Sequence, residues 1–353
     1  MTPSHPASVP APSAAPSAAG PPVLEVDDLA VEFRSRRRTV HAVNGISYTV
    51  RAGETLAVVG ESGSGKSVGA QAVMGILDIP PARITRGRIL FRGEDLLTMT
   101  RKEQRAVRGP GIAMVFQDAL SSLNPVFPVG DQIGELFRVH RKASRAEARE
   151  KAVELMERVG IPAARERVDA YPHQFSGGMR QRVMIAMAIA LDPVLLIADE
   201  PTTALDVTVQ AQVMDLLREL QAETGMGMIL ITHDLGVVNE VADRVAVMYA
   251  GSVVENGTVD EVLSEPLHPY TRGLMASMPS LESEGERLNP VTGTPPDLSA
   301  IPGGCAFHPR CPMARFGPSA APGKDCAGDV PVLRGIVPGR TAACHYSEEL
   351  THG

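Results

Sequence analysis

The chain has 353 residues, of which 44% are hydrophobic and 21% charged, and its formal net charge is -7. This length suits one large domain with a smaller attachment, because single hydrophobic cores stop growing near about 250 to 300 residues. The acidic balance and the lack of long lysine or arginine runs argue against a nucleic-acid backbone as the main partner.

Residues 1–22 are rich in Pro, Ala and Ser, and they lack the charged start and apolar core of a secretory signal. We predict that this stretch is a disordered extension. No apolar run approaches the roughly 18 to 20 residues that cross a bilayer. The sequence therefore predicts a chain that does not span a membrane and that works in a reducing compartment.

Short apolar runs rich in β-branched residues begin at Leu24. They predict strands at 24–33, 46–50, 55–59, 195–198 and 228–232. The last three runs are almost continuously apolar, which is typical of parallel strands that are covered by helices on both faces. The sequence thus predicts an α/β fold.

A glycine-rich stretch follows the predicted strand at 55–59 and fits the P-loop pattern. Its residues are Gly60, Glu61, Ser62, Gly63, Ser64, Gly65, Lys66 and Ser67. Glycines let the backbone N–H groups face inward, and the positive end of the next helix dipole also favours phosphate. We expect this loop to bind ATP, with Lys66 at the terminal phosphates and Ser67 on Mg²⁺.

Helical periodicity replaces the strand signal between about 125 and 182, which predicts an inserted helical subdomain. Its clearest helix begins at Ser144, with Glu147 completing a capping box, and ends at Gly160. Near the end of this region, Ser176, Gly177 and Gly178 precede a predicted helix. A serine hydroxyl and exposed glycine backbone at a helix N-terminus predict an anion site.

Two acidic residues, Asp199 and Glu200, come directly after the predicted strand at 195–198. Adjacent acids are common on solvated surfaces, but a buried strand that ends in acids behind a P-loop favours a catalytic role. Phosphoryl transfer needs an anchored metal and an oriented nucleophile. We therefore expect Asp199 to anchor the Mg²⁺ shell and Glu200 to polarise the attacking water.

All four cysteines lie in the C-terminal region: Cys305, Cys311, Cys326 and Cys344. Their number suits one Cys₄ site for a metal or a cluster. Their spacing matches neither the close pairs of a zinc ribbon nor a ferredoxin run. An iron–sulfur cluster, a zinc ion and unliganded thiols therefore all remain open.

The stretch Phe175-Ser176-Gly177-Gly178-Met179 resembles the signature of ATP-binding-cassette (ABC) ATPases, usually Leu-Ser-Gly-Gly-Gln. In that family the signature faces the γ-phosphate held by a second ATPase subunit. Phe175 and Met179 depart from the usual residues, and Met179 removes an amide that could hydrogen-bond near the nucleotide.

The resemblance also implies roles for four residues outside these motifs. They are Phe33, which would stack on adenine; Gln117, which would sense Mg²⁺ and the channel; Asp206, in the loop across the dimer interface; and His233, which would contact the γ-phosphate. The implied architecture is a P-loop NTPase (RecA-like) core with an antiparallel β subdomain and the inserted helical subdomain, spanning residues 23–264. A small Cys-rich C-terminal domain, 265–353, would follow it.

Stretches at 121–125, 201–210, 266–271 and 304–312 look like the oligopeptide and dipeptide permease ATPases, and the resemblance runs from about Val23 to Glu349. Proteins of this family import peptides, and some close members carry nickel or other small solutes. The family implies an identical or homologous second ATPase, two transmembrane permease subunits and an extracytoplasmic solute-binding protein. It also implies a peripheral place at the cytoplasmic face of the cell membrane.

For the four cysteines, the resemblance implies a [4Fe-4S] cluster, although residues 315–325 lengthen the usual gap before Cys326. Two other classes compete with transport. An ABC protein of DNA repair or translation would carry coiled-coil arms or, usually, two cassettes, whereas this sequence shows one P-loop and no such arm. A plain P-loop kinase would not need Ser176, Gly177 and Gly178.

Overall fold

The computed structural model describes residues 20–118, 122–203, 205–277 and 291–351. Residues 1–19 of the predicted extension, as well as Ser121 and Ala204 of the quoted stretches, lie outside the described residues. The described chain forms two compact units. The cassette unit contains residues 20–253 and 294–301, and the tail unit contains the described residues from 254 to 293 and from 302 onwards.

An antiparallel sheet forms one layer of the cassette unit, as expected for a β subdomain. Its strands are β1 (Leu24–Arg34), β2 (Thr39–Val50), β4 (Ala82–Phe91) and β5 (Glu94–Asp95), in the order β2-β1-β4-β5. Strand β2 begins well before the predicted residue 46. Its first half was missed because His41 and Asn44 interrupt the apolar run, although Ala42 and Val43 are buried. This strand lies at the edge of the sheet.

A parallel sheet forms the centre of the cassette unit. Its strands are β3 (Thr55–Val59), β6 (Ile112–Val115), β7 (Leu195–Asp199), β8 (Gly227–Ile231) and β9 (Arg244–Tyr249), in the order β9-β3-β8-β7-β6. Every residue of β3, β7 and β8 is buried, as their continuous apolar runs predict. Strands β6 and β9 were not predicted, because their Ala and Met residues favour helices as readily as strands.

Eight helices of the cassette unit lie in the described ranges. They are α1 (Lys66–Met74), α2 (Arg101–Val107), α3 (Val129–Arg141), α4 (Arg145–Arg158), α5 (Ala164–Arg167), α6 (Gly177–Ile189), α7 (Val207–Thr224) and α8 (Leu235–Val241). The predicted capping box of Ser144 and Glu147 begins α4. Buried side chains of α3 to α7 share one apolar core with β6, β7 and β8.

The tail unit contains three antiparallel strands, which pair in the order β11-β12-β10. The strands are β10 (Ser252–Thr258), β11 (Arg334–Val337) and β12 (Arg340–Ala342), and the helices are α9 (Val259–Ser264) and α10 (Pro269–Ala276). The carboxylate of Glu255 and the guanidinium of Arg340 are 3.1 Å apart and buried. Glu255 also accepts the N–H groups of Leu267 and His268, so one buried acid joins β10, β12 and the start of α10.

None of the helices in the described parts of the chain has the length and apolar character needed to cross a bilayer.

Candidate functional site

The predicted P-loop joins β3 to α1, and its glycines allow a fold that other residues could not adopt. Gly60, Gly63 and Gly65 have φ angles of 150°, 78° and 99°. A Cβ atom on Gly60 would lie 2.2 Å from the carbonyl oxygen of Met248, and one on Gly65 would lie 2.1 Å from that of Ala42. The backbone of this loop is therefore curled tightly against two other strands.

Lys66 is the first residue of α1, and its buried ammonium points back into the loop. Nζ donates hydrogen bonds to the carbonyl oxygens of Gly60 at 2.7 Å and Glu61 at 3.0 Å. Burial lowers the pKa of Lys66, and the carboxylates of Glu200 and Asp199 act against that change. The hydroxyl of Ser64 is also buried, and it has no hydrogen-bond partner within the described part of the chain. A polyphosphate would supply oxygens for both groups.

Ser67 and Asp199 form the part of the site that could hold a metal ion. The Ser67 hydroxyl donates to Oδ1 of Asp199 at 3.0 Å, across the gap between α1 and the end of β7. Burial raises the pKa of Asp199, and the hydrogen bond from Ser67 acts against that rise. A hydroxyl oxygen beside a carboxylate is the kind of donor set that Mg²⁺ takes together with water and phosphate oxygens. These residues therefore fit Mg²⁺.

Glu200 follows Asp199 in a left-handed conformation, with a φ angle of 45°. Its Oε2 atom accepts hydrogen bonds from Gln117 Nε2 at 2.9 Å and from Thr203 Oγ1 at 2.8 Å. Strain of this kind in a residue other than glycine is common at functional sites. The structure thus brings Gln117 and Glu200 together. Thr203 was not predicted from the sequence, although its place in the turn after the acids was a usable signal.

His233 follows β8 and lies beside Glu200. Its Nδ1 atom is 3.6 Å from Glu200 Oε1, which is beyond hydrogen-bond range, and 67% of its side chain is exposed. The next residue, Asp234, caps α8 and accepts a hydrogen bond from Gln210 Nε2 at 3.0 Å. The imidazole therefore stands at the rim of the site, where it could contact a bound phosphate.

The signature residues lie at the start of α6. The Ser176 hydroxyl caps this helix by accepting the Met179 N–H, and both Ser176 and Gly177 are exposed. A Cβ atom on Gly178 would lie 2.6 Å from Val209 Cγ1, so glycine permits the close approach of α6 to α7. Met179 packs against the shared apolar core. Gly178 and Met179 thus pack against other parts of the cassette unit, while Ser176 and Gly177 face solvent.

Two residues implied by the resemblance lie at exposed or half-buried positions. Asp206 is exposed and caps α7 by accepting the Val209 N–H at 2.9 Å. Phe33 is half-buried near the end of β1, with Val40 of β2 and Ala82 of β4 as its strand partners.

The four cysteines line one pocket of the tail unit, together with three histidines. The lining includes Cys305, Cys311, Cys326, Cys344, His268, His308 and His345. Each sulfur accepts a backbone hydrogen bond; the donors are Phe307, Met313, Arg315 and Tyr346. Burial raises the pKa of Cys305 to about 12 and that of Cys311 to about 11. Without a cation these two thiols stay neutral at physiological pH.

Within the ranges that the structure describes, no three His, Cys, Asp or Glu side chains converge closely enough to hold a single metal ion. The cysteine pocket therefore gathers the predicted ligands without forming a closed site for one ion. The metal part of the sequence interpretation stays a prediction.

Comparisons with known proteins identify the family of this chain. A family model described as "ABC transporter" matches residues 43–203, and one described as "Oligopeptide/dipeptide transporter, C-terminal region" matches residues 254–316. The oligopeptide transport ATP-binding protein OppD of Bacillus subtilis is 56% identical over 83% of this chain and 82% of its own length. The dipeptide transport ATP-binding protein DppD of the same organism is 53% identical over 82% of this chain and 87% of its own length.

Solved structures show the same fold. The dimeric structure of MJ0796, a bacterial ABC transporter cassette, superposes with a TM-score of 0.60 at 24% identity, over 67% of this chain and 98% of that one. The chain therefore belongs to the ATP-hydrolysing ABC transporter subunits, in the family that carries the oligopeptide/dipeptide transporter C-terminal region.

Proposed function

We propose that this chain hydrolyses ATP to power the import of oligopeptides or dipeptides through a channel that separate subunits form. The observation that carries the ATPase part is the position of Glu200, which Gln117 and Thr203 hold beside the Ser67–Asp199 pair. The peptide part is supported by the names of the relatives, since OppD and DppD are named as ATP-binding proteins of oligopeptide and dipeptide transport.

Each residue of the nucleotide site has one task in this mechanism. Lys66 exchanges its bonds to the loop carbonyls for bonds to the β- and γ-phosphates. Ser67 and Asp199 hold Mg²⁺, which neutralises charge on the phosphate oxygens when it is bound. Glu200 orients the attacking water and accepts its proton, while Gln117 keeps the carboxylate in place. His233 contacts the γ-phosphate from the rim.

The base and the loop amides complete the binding of ATP. Phe33 stacks on adenine from the end of β1, because a half-buried aromatic face binds a purine ring through apolar and stacking contacts. The residues from Gly60 to Gly65 direct backbone N–H groups and the positive end of α1 at the phosphates.

A second ATPase, identical or homologous, completes each site. Ser176 and Gly177 are exposed at the N-terminus of α6, which is a suitable place for the γ-phosphate of a nucleotide bound to the other subunit. Asp206 is exposed at the N-terminus of α7, whose Val209 packs against Gly178. The dimeric structure of the MJ0796 cassette supports such pairing by analogy.

The cysteine pocket holds a [4Fe-4S] cluster in this proposal. Each cysteine of such a cluster binds a different iron, so the four sulfurs need not converge on one point. Zinc requires four donors at about 2.0 to 2.3 Å from one ion, and the described residues form no such group. Backbone N–H bonds to all four sulfurs also stabilise bound thiolates. If a cluster is bound, its positive charge would favour the thiolate form of the cysteines that hold it.

The functional assembly would lie at the cytoplasmic face of the membrane, with two transmembrane permease subunits and an extracytoplasmic solute-binding protein. The test is to capture the tagged full chain from detergent-solubilised membranes and to identify its companions by mass spectrometry. We expect transmembrane subunits and ATP hydrolysis that rises when the binding protein and peptides are added. If the tagged chain is recovered with DNA-repair proteins or ribosomes and without transmembrane subunits, a role in DNA repair or translation would be favoured over transport.

A further inference from the structure

A short segment far along the chain lies on the sheet that carries Phe33. Thr294–Ile301 belongs to the cassette unit, whereas the described residues directly before and after it belong to the tail unit. The N–H group of His41 on β2 donates a hydrogen bond to the carbonyl oxygen of Leu298 at 2.9 Å. We call Thr294–Ile301 the strap.

The strap has its own internal order. Asp297 Oδ1 accepts hydrogen bonds from the backbone N–H and the hydroxyl of Ser299, both at 2.8 Å, and Asp297 O accepts the Ala300 N–H. Pro295 and Pro296 restrict the backbone just before this turn. Arg38 lies 3.9 Å from Asp297, but both side chains are largely exposed, so this ion pair contributes little. The main link is the backbone bond to His41.

His41, to which the strap is bonded, lies between a residue that pairs with Phe33 and a residue that lies against the P-loop. On one side of His41, Val40 pairs with Phe33 of β1, the residue assigned to the adenine base. On the other side, the carbonyl oxygen of Ala42 lies against Gly65 of the P-loop. Because β2 is the edge strand of its sheet, the bond to Leu298 supplies a partner that the sheet itself does not.

We propose that the strap is a positioning element for the base side of the nucleotide site. By bonding His41, it holds the β1–β2 hairpin in the conformation that presents Phe33, and it thereby raises the affinity for ATP. This inference rests on the proposed function, because it assumes that adenine stacks on Phe33. It adds residues from the C-terminal part of the sequence to a site otherwise made by the cassette motifs.

The test removes the donor of the bond. His41→Pro deletes the N–H group, and proline is tolerated on an edge strand where that group points away from the sheet. His41→Ala is the matched control, since it removes the imidazole but keeps the N–H group. Loss of one hydrogen bond should raise the Kd for MgATP about three- to tenfold relative to the control. The kcat at saturating ATP should match that of His41→Ala.

A second pair of variants acts from the strap itself. Asp297→Ala removes the oxygen that orders the Ser299 turn, whereas Asp297→Asn keeps an acceptor and removes only the charge. We expect Asp297→Ala to raise the Kd for MgATP in the full-length chain and Asp297→Asn to leave it near the wild-type value. This pair gives the result even where the proline variant does not fold.

A double-mutant cycle asks whether the effect passes through Phe33. In a Phe33→Ala background, His41→Pro should raise the Kd no further than His41→Ala does, because the hairpin then presents no ring. Equal Kd values within each matched pair, or an effect that Phe33→Ala leaves undiminished, would overturn the inference while the proposed function stands. A wild-type chain that binds no MgATP would reject both.

Discussion

Residues of the nucleotide site follow the strands of a parallel sheet, whereas the cysteines of the tail unit lie mainly in turns and loops. In the cassette unit, Gly60, Gln117, Glu200 and His233 follow β3, β6, β7 and β8, which are members of one parallel sheet. Their side chains meet because the carboxyl ends of parallel strands share one edge. In the tail unit, the cysteines come from turns and loops, and only Cys344 lies close to a strand, β12.

The charges of the two sites differ as well. In the nucleotide site, the acids and the ammonium already have polar partners, such as the Ser67–Asp199 and Gln117–Glu200 pairs. In the cysteine pocket, burial raises the pKa of Cys305, Cys311 and Cys344, and the four sulfurs accept weak backbone hydrogen bonds. The nucleotide site, which strands hold, is therefore organised before its ligand arrives. The cysteine pocket, which loops hold, depends on its ligand for its charge.

The largest expected effect tests the cysteine pocket. Cys326→Ser should abolish the brown colour and the iron content of anaerobically purified protein, which we expect to carry about four irons per chain in the wild type. Cys326 is buried, 7% exposed, and it lines the same pocket as the other three cysteines. Iron and acid-labile sulfide are measured chemically.

Met313→Leu is the matched control for Cys326→Ser, because Met313 lines the same pocket and the exchange conserves volume. It should keep its iron. Colourless wild-type protein that contains zinc would show that the cysteine pocket does not hold an iron–sulfur cluster.

The next effect tests the nucleotide site. Glu200→Gln should lower the rate of ATP hydrolysis by about 10² or more, because an amide cannot accept the proton of the attacking water. Binding of MgATP should persist, since Lys66, Ser67 and Asp199 are unchanged. Phosphate release and nucleotide binding are measured on the same preparation.

Asp215→Asn serves as the control for Glu200→Gln, because Asp215 is exposed and its salt bridge to Arg218 is exposed too. Hydrolysis by this variant should match that of the wild type. Near-normal turnover by Glu200→Gln would contradict the role of the carboxylate.

The smallest expected effect tests whether the hydrogen bonds of the nucleotide site hold Glu200 in place before ATP binds. Thr203→Ala removes one of the two hydrogen bonds to Glu200 Oε2 and should lower kcat about tenfold, because hydrogen bonds to a charged group contribute about 1.5 to 3 kcal/mol. Thr203→Ser keeps the hydroxyl and should restore most of the rate. The KM for ATP should change little in either variant, and equal rates for the two would show that the hydroxyl has no positioning role.

Features that depend only on neighbours along the chain were predictable from the sequence. The apolar runs of β3, β7 and β8, the capping box at Ser144 and the P-loop all follow from short-range periodicity and spacing. The acids at 199 and 200 were predictable for the same reason, since a strand delivers them to its carboxyl end. These signals need no knowledge of distant residues.

Contacts between residues that are far apart in the sequence were visible only in the folded structure. The bond from His41 to Leu298 and the contact of Gly178 with Val209 have no periodic signal in the sequence. The same is true of Cys326, which reaches the pocket of the other cysteines despite the long gap before it. Such contacts depend on the path of the whole chain, because packing and loop closure bring together residues that local propensity cannot pair.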